Sequence, residues 1–431
     1  MRYSLLNKSK TNFYFALLLL LATFSFAWPH AVITSASATT RAGRLAVFDD
    51  VWTTIGARYY DPNFRGVDWE AQRIAFRQLA ANARSTQQLY GVLRQMLGRL
   101  NDPHTRVFSP EEKFDWEHPR FVTIGLSIKE IDGVATVVHV EHGSEPDKAG
   151  IRAGDVIESV DGQPAASIVG RKLAAGPASP IARTRAFATI FDGPAGSMLD
   201  LVWRNRGEGK NHARFQRYLF ERDLDYRIES QDGRYIAVEL DGFTSDLANS
   251  FVRNLRNKIA ASRGVILDLR NNGGGDAQAM AQIAAIFLGP GTDMGQFTDR
   301  SGGGFNILTT LRSATDGPGL KVPIVVLTSE RTSSAAEILV SALKQSKSAV
   351  VIGTQTCGCV LAIRNRHELP DGGILDVSEM DYQTATGARL EGNGIAPDKL
   401  MLVHRPDLYA KRDPLVESAF AYLKSLRARR N

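Results

Sequence analysis

Cysteine is almost missing from this chain, with two residues in 431. That is too few for a fold built on disulfides. Net charge is also small, +6 from 52 Lys and Arg against 46 Asp and Glu, which argues against a concentrated basic face for nucleic acid. Long apolar runs are scarce: Phe13 to Phe26 covers about 14 residues, short of the ~20 that cross a bilayer as a helix. The eight histidines make no H-E-x-x-H spacing, and the contiguous glycines at 273–275 lack the G-x-G-x-x-G spacing. No metal and no other cofactor is therefore expected.

What is present is ordinary for a globular protein, 43% hydrophobic and 23% charged, and long enough for two or three domains. Arg2, Lys8 and Lys10 precede the Phe13–Phe26 run; Pro29 and Ala36-Ser37-Ala38 follow it. This pattern reads as a secretory signal peptide over 1–38, cleaved after Ala38, with an uncleaved anchor as the alternative. Cleavage leaves a mature chain near +3 (6 − 3), periplasmic or secreted, with no stable membrane span.

Three textures follow. Residues 43–115 carry apolar residues at helical spacing, as in Leu45, Val47, Phe48, Val51 and Trp52, and read as a helical domain ending in the loop Asn101–Thr105. From 120 to 215 short strands alternate with turns, including Val134–Val140, Val156–Val160 and the Asp161-Gly162 turn. From 230 to 425 strands at Tyr235–Leu240, Gly264–Leu267 and Pro323–Leu327 alternate with helical stretches near 247–261, 277–288 and 335–346, which predicts an α/β sheet. The Gly-rich Ser301–Phe305 reads as a surface loop.

Two strand ends in the third region could carry chemistry. Leu267-Asp268-Leu269-Arg270-Asn271-Asn272 opens into Gly273-Gly274-Gly275, where amides can approach a developing oxyanion. Val325–Thr328 runs into Ser333-Ser334-Ala335-Ala336-Glu337, a helix start with a capping-box pattern that also sets a hydroxyl at the positive end of a helix dipole.

The middle region resembles a PDZ domain in the order of Ile124-Gly125-Leu126-Ser127, Gly143-Ser144, Ala149-Gly150-Ile151, Gly154-Asp155 and Asp161-Gly162. The resemblance implies that Ile124, Gly125, Leu126 and Ser127 bind a peptide's C-terminus, which adds as a strand. With the Asp268–Gly275 and Ser333–Glu337 segments and Glu391–Asp398, most of the chain resembles the carboxyl-terminal processing (tail-specific) peptidases. That likeness implies a multi-domain α/β protein: a helical N-terminal domain, a PDZ-like β domain and an α/β, crotonase-like catalytic domain. It also implies Ser334 as nucleophile and the Gly274 and Ala335 amides as oxyanion hole.

One position departs from the family. Cys359 stands where the usual branch has its activating lysine, and a thiol with an ordinary pKa near 8.5 is a poor replacement for that base. Asp102-Pro103-His104-Thr105 resembles the segment that supplies a histidine in the tricorn-core-like branch, so the resemblance assigns His104 as general base and Glu391 as the residue that orients it. Pro103 stands where that branch has a serine. Cys357 and Cys359 are left as either a disulfide or two reduced thiols. The expected partners are protein or peptide substrates. The alternatives are an inactive PDZ-type peptide-binding scaffold and a non-proteolytic hydrolase. Oligomeric state and natural substrate are not fixed by the sequence.

Overall fold

In the computed structural model, residues 37–112, 118, 120–174, 180–221, 224–308 and 318–428 are described. They belong to a single compact unit. Of the expected signal peptide, residues 1–36 lie outside them; Ala38 is buried, and its carbonyl accepts from Arg44 Nη1 at 3.3 Å.

The chain opens on helices Arg41–Arg58, Trp69–Ala81 and Thr86–Gly98. Thr40, Asp68 and Ser85 cap them by accepting from backbone N–H groups three residues on. The predicted apolar positions Val47, Phe48 and Val51 face inward with Leu89, Leu93 and Met96. The core of this region is completed by Leu369, Leu375 and Val377, from the far end of the sequence. Strand Arg106–Phe108 likewise pairs with Ile374–Asp376, Arg106 opposite Asp376.

Next comes an antiparallel sheet in the order Leu126–Ile131, Val134–Val140, Val156–Val160, Met198–Arg204, Lys210–Gln216. Asp132-Gly133 and Asp161-Gly162 both turn with positive φ, the conformation a two-residue hairpin loop requires. Leu126–Ile131 forms one edge, with helix Pro180–Ala188 against it.

A six-stranded sheet follows in the order Tyr226–Gln231, Tyr235–Leu240, Gly264–Asp268, Ile324–Thr328, Ala349–Gly353, Lys399–Leu400; from the second strand on, neighbours run parallel. Val265, Leu267 and Val326 pack with helices Ser245–Ala261, Ala277–Leu288 and Ala335–Gln345, while Ile266, Val325 and Leu327 pack with helix Pro414–Ala428. Both faces are covered, so these strands read as unbroken apolar runs in the sequence. Ser301–Phe305 differs from its loop expectation: Gly304 starts a strand paired with Asp293–Asp299, and a Cβ at Gly304 would lie 2.1 Å from Phe297 O.

Candidate active site

Two parallel strands end side by side, and their following loops are laced together. Thr332 Oγ1 donates to Leu269 O at 2.8 Å, Ser329 Oγ to Arg270 O at 2.6 Å, and Ser333 N–H to Asn272 O at 3.1 Å. Asn272 is fully buried, its Nδ2 donating to Leu240 O at 3.0 Å. Gly274 has φ +96°, and a Cβ there would sit 2.7 Å from Ser334 Cβ. Only glycine fits so close an approach at that dihedral.

Ser334 has φ 57° and ψ −126°, a costly conformation for a residue with a side chain. It begins the helix Ala335–Gln345. Its N–H donates to Cys359 O at 2.8 Å and to Glu337 Oε2 at 3.2 Å, while its hydroxyl makes no hydrogen bond among the described residues. Glu337 is buried and holds the neighbouring loop in place. It accepts from Thr356 Oγ1 at 2.5 Å, Gly358 N–H at 2.8 Å and Cys359 N–H at 2.9 Å. Burial pushes its carboxyl above the ordinary range even against those donors.

The loop across from Ser334 carries Cys357 and Cys359, joined as a disulfide with Cα atoms 5.2 Å apart. Gly358 between them has φ +69°, and its carbonyl accepts from Gly392 N–H at 2.8 Å.

The amide donors divide unevenly. Ala335 N–H, at the first turn of its helix, has no partner among the described residues, nor do the N–H groups of Gly273 and Gly275. Gly274 N–H donates to Asn272 Oδ1 at 2.8 Å. The glycine turn thus presents unpartnered donors on either side of Gly274 rather than at it.

His104 sits in a turn that Asp102 organises: Asp102 Oδ1 accepts from His104 N–H at 2.8 Å and Oδ2 from Thr105 Oγ1 at 2.5 Å. The imidazole is 18% exposed, with Nδ1 3.9 Å from Asp102 Oδ1 and no hydrogen-bond partner. Burial draws its pKa down to about 4; Asp102 opposes this, and the positive charges of Arg106 and Arg185 add to it. The ring is therefore neutral at neutral pH, the form in which it can accept a proton. No hydrogen bond joins His104 to Ser334.

Glu391 does not bond to His104. Its Oε1 pairs with Arg65 Nη1 at 3.3 Å, and its Oε2 accepts from Val360 N–H at 2.9 Å. Burial lifts its pKa to about 7, the Val360 N–H opposing, with Asp102 raising it further and Arg65 and Arg389 lowering it. The carboxylate next to the imidazole is Asp102, a residue the sequence reading passed over although it lies within the same four-residue segment. Arg65 left no local signal at all.

Ser334, Ala335, Gly274, Cys357, Cys359 and Glu391 thus share one connected region, with His104 tied to it through its own loop. Ile124, Gly125, Leu126 and Ser127 are elsewhere, at the edge of the antiparallel sheet. Ile124 and Leu126 are buried, and Gly125, φ +88°, donates to Thr123 Oγ1 at 3.0 Å. Among the described residues no cluster of three or more His, Cys, Asp or Glu could hold a metal ion, and no helix is long and apolar enough to cross a membrane.

The described residues form a mixed α/β structure in which two adjacent parallel strand ends bring a serine with positive φ against a glycine turn. Residues 234–401 match peptidase family S41, and residues 41–98 match the tricorn protease C1 domain. A carboxyl-terminal-processing protease of Picosynechococcus sp. is 28% identical over 361 residues, 81% of each chain. Among solved structures, the photosystem II D1 C-terminal processing protease aligns with TM-score 0.55 at 24% identity over 83% of this chain and 93% of its own. Mature CPAF aligns with TM-score 0.68 at 14% identity, over 90% and 96%. These two show likeness of fold. Residues 234–401 thus carry a peptidase family S41 domain, and most of the chain is similar to carboxyl-terminal-processing serine peptidases.

Proposed function

We propose that this protein is an exported endopeptidase that recognises substrates through their C-terminal residues. In this reading residues 43–115 are a helical domain, 120–215 a PDZ-like domain and 230–425 a crotonase-like catalytic domain. Ser334 Oγ attacks the scissile carbonyl while His104 takes its proton. The tetrahedral oxyanion is stabilised by Ala335 N–H with an amide of the glycine turn around Gly274. The imidazolium then returns the proton to the leaving amine, and water repeats the cycle on the acyl-enzyme. Asp102 is the carboxylate placed to balance the imidazolium charge. The substrate's terminal carboxylate meets the Ile124–Ser127 segment, and its backbone extends the free edge of Leu126–Ile131.

The observation that carries the reading is Ser334 itself. A serine held at φ 57°, with its hydroxyl unbonded at a helix N-terminus, has a conformation that capping alone does not require. The test is reaction of the mature protein with a fluorophosphonate, mapped by peptide mass. Modification of Ser334, lost in Ser334→Ala, supports a live nucleophile. An unlabelled wild type that still binds peptides with free C-termini would make the chain a peptide-binding scaffold.

A further inference from the structure

His104 and Ser334 stand 230 positions apart in sequence (334 − 104) and on loops from different regions. Something must set the spacing between those loops, because no hydrogen bond joins the two side chains directly. Strand pairing of Arg106 with Asp376, and Ser378 N–H donating to Thr105 Oγ1 at 3.1 Å, fix the His104 loop to the 374–378 segment. That segment runs on into Glu379 and Met380, and Glu379 N–H donates to Ala362 O and Ala362 N–H to Met380 O, both at 2.9 Å, so a backbone tie reaches the far end of the Cys359–Ala362 stretch.

A second path is built from side chains and ends nearer Ser334. Arg65 Nη1 donates to Asn101 O at 3.0 Å, three residues before His104, and pairs with Glu391 Oε1 at 3.3 Å. Glu391 Oε2 accepts from Val360 N–H at 2.9 Å, and Cys359, the next residue back, accepts Ser334 N–H at 2.8 Å. The path is continuous from one loop to the other. The Glu391 end of the path is buried, its side chain 3% exposed, while the Arg65 side chain is 27% exposed.

The backbone at Arg65 is unusual in a way that fits a dedicated role. Phe64 and Arg65 both take left-handed φ, 50° and 56°, and Asn101 takes 50°. Consecutive residues with side chains rarely do so, and they persist where the surroundings enforce it. Here Asp61 does: its Oδ1 accepts from Asn63 N–H at 2.9 Å and its Oδ2 from Arg65 N–H at 2.7 Å.

We propose that Arg65 is a positioning residue, which with Glu391 as its relay sets the separation of the His104 loop from the Ser334 loop. This rests on the Ser334–His104 reading and changes the role of Glu391. It acts on the loop beside the nucleophile, not on the imidazole. Arginine suits the task, since one planar group donates to a carbonyl and a carboxylate at once.

The test is a double-mutant cycle on the mature protein with Arg65→Met, Glu391→Gln and both together, following hydrolysis of a chromogenic peptide. Loss of register is expected to lower kcat about 10- to 100-fold in each single variant. KM should stay within about two-fold, since ground-state binding is not touched. The double variant should fall no further than the worse single, as expected for two members of one path. Arg65→Lys should recover part of the loss. If Arg65→Met leaves the buried Glu391 carboxyl without its partner and the variant fails to fold, the double variant, which removes both groups, decides alone. Wild-type kcat in Arg65→Met or in the double variant, or single losses that add, would overturn the proposal. Fluorophosphonate labelling of wild-type Ser334, run beside it, tests the peptidase reading separately: no labelling overturns that reading, while full labelling with an unaffected Arg65→Met overturns the strut alone.

Discussion

At Gly274 the backbone packs directly against Ser334: an added Cβ would meet Ser334 Cβ at 2.7 Å, at a φ that side chains avoid. Gly274→Ala is expected to lower stability by about 1–3 kcal/mol and to slow labelling of Ser334 in the fraction that remains folded; urea melts and labelling rates measure the two effects separately. Titration gives a second prediction. The pKa of Glu391 is raised to about 7 from 4.5, so its neutral form contributes stability that is full below pH 4.5 and lost as pH rises through 7. Arg65, Arg389 and the Val360 N–H favour the charge, and Asp102 and burial oppose it. Wild type should therefore lose stability relative to Glu391→Gln between pH 5 and 8, by up to ~3 kcal/mol. A melting-temperature difference that stays flat across that range would contradict the sign. His104 runs the other way: its folded value near 4 lies below the ordinary 6.5, so its contribution is full above pH 6.5 and is lost as pH falls toward 4.

Among the elements, the loop Thr356–Val360 is where sequence and structure part most instructively. The Cys357-Gly358-Cys359 segment identified a missing lysine and left the sulfur chemistry open. The structure bridges the thiols and wraps the loop around the buried Glu337 carboxylate. Replacing both cysteines with serine is expected to loosen the carbonyl that holds Ser334 N–H and to lower the labelling rate several-fold while the fold persists; near-UV circular dichroism with labelling kinetics checks both. The central strands Gly264–Asp268 and Ile324–Thr328 were legible because burial on both faces writes itself as an apolar run. The short strands His367–Glu368 and Ile374–Asp376 were not, since two or three residues carry no period. The ties that matter at the site were hidden for a related reason. Arg65 and Glu391 meet across 326 positions, and a single contact of that span leaves no pattern in either neighbourhood. Asp102 is different: an aspartate two residues before a histidine is a local turn signal, and it was readable beside His104.

For the whole molecule, the proposed function joins the sheet edge at Leu126–Ile131 to a nucleophile on another sheet, with a base supplied by the helical region. If that edge selects termini, amidating a peptide's C-terminus should raise KM for cleavage about ten-fold or more while kcat changes little, because a lost carboxylate contact weakens ground-state binding. Equal KM for acid and amide would remove the PDZ-like segment from substrate selection. The base is the central claim, since Cys359 is locked in a disulfide where relatives of the lysine branch would have their activator. Its most direct measurement is kcat/KM of His104→Ala against wild type on one peptide, at neutral pH, with both proteins verified as folded. The account predicts a loss of at least about 100-fold with peptide binding retained; equal hydrolysis by the two proteins would contradict it.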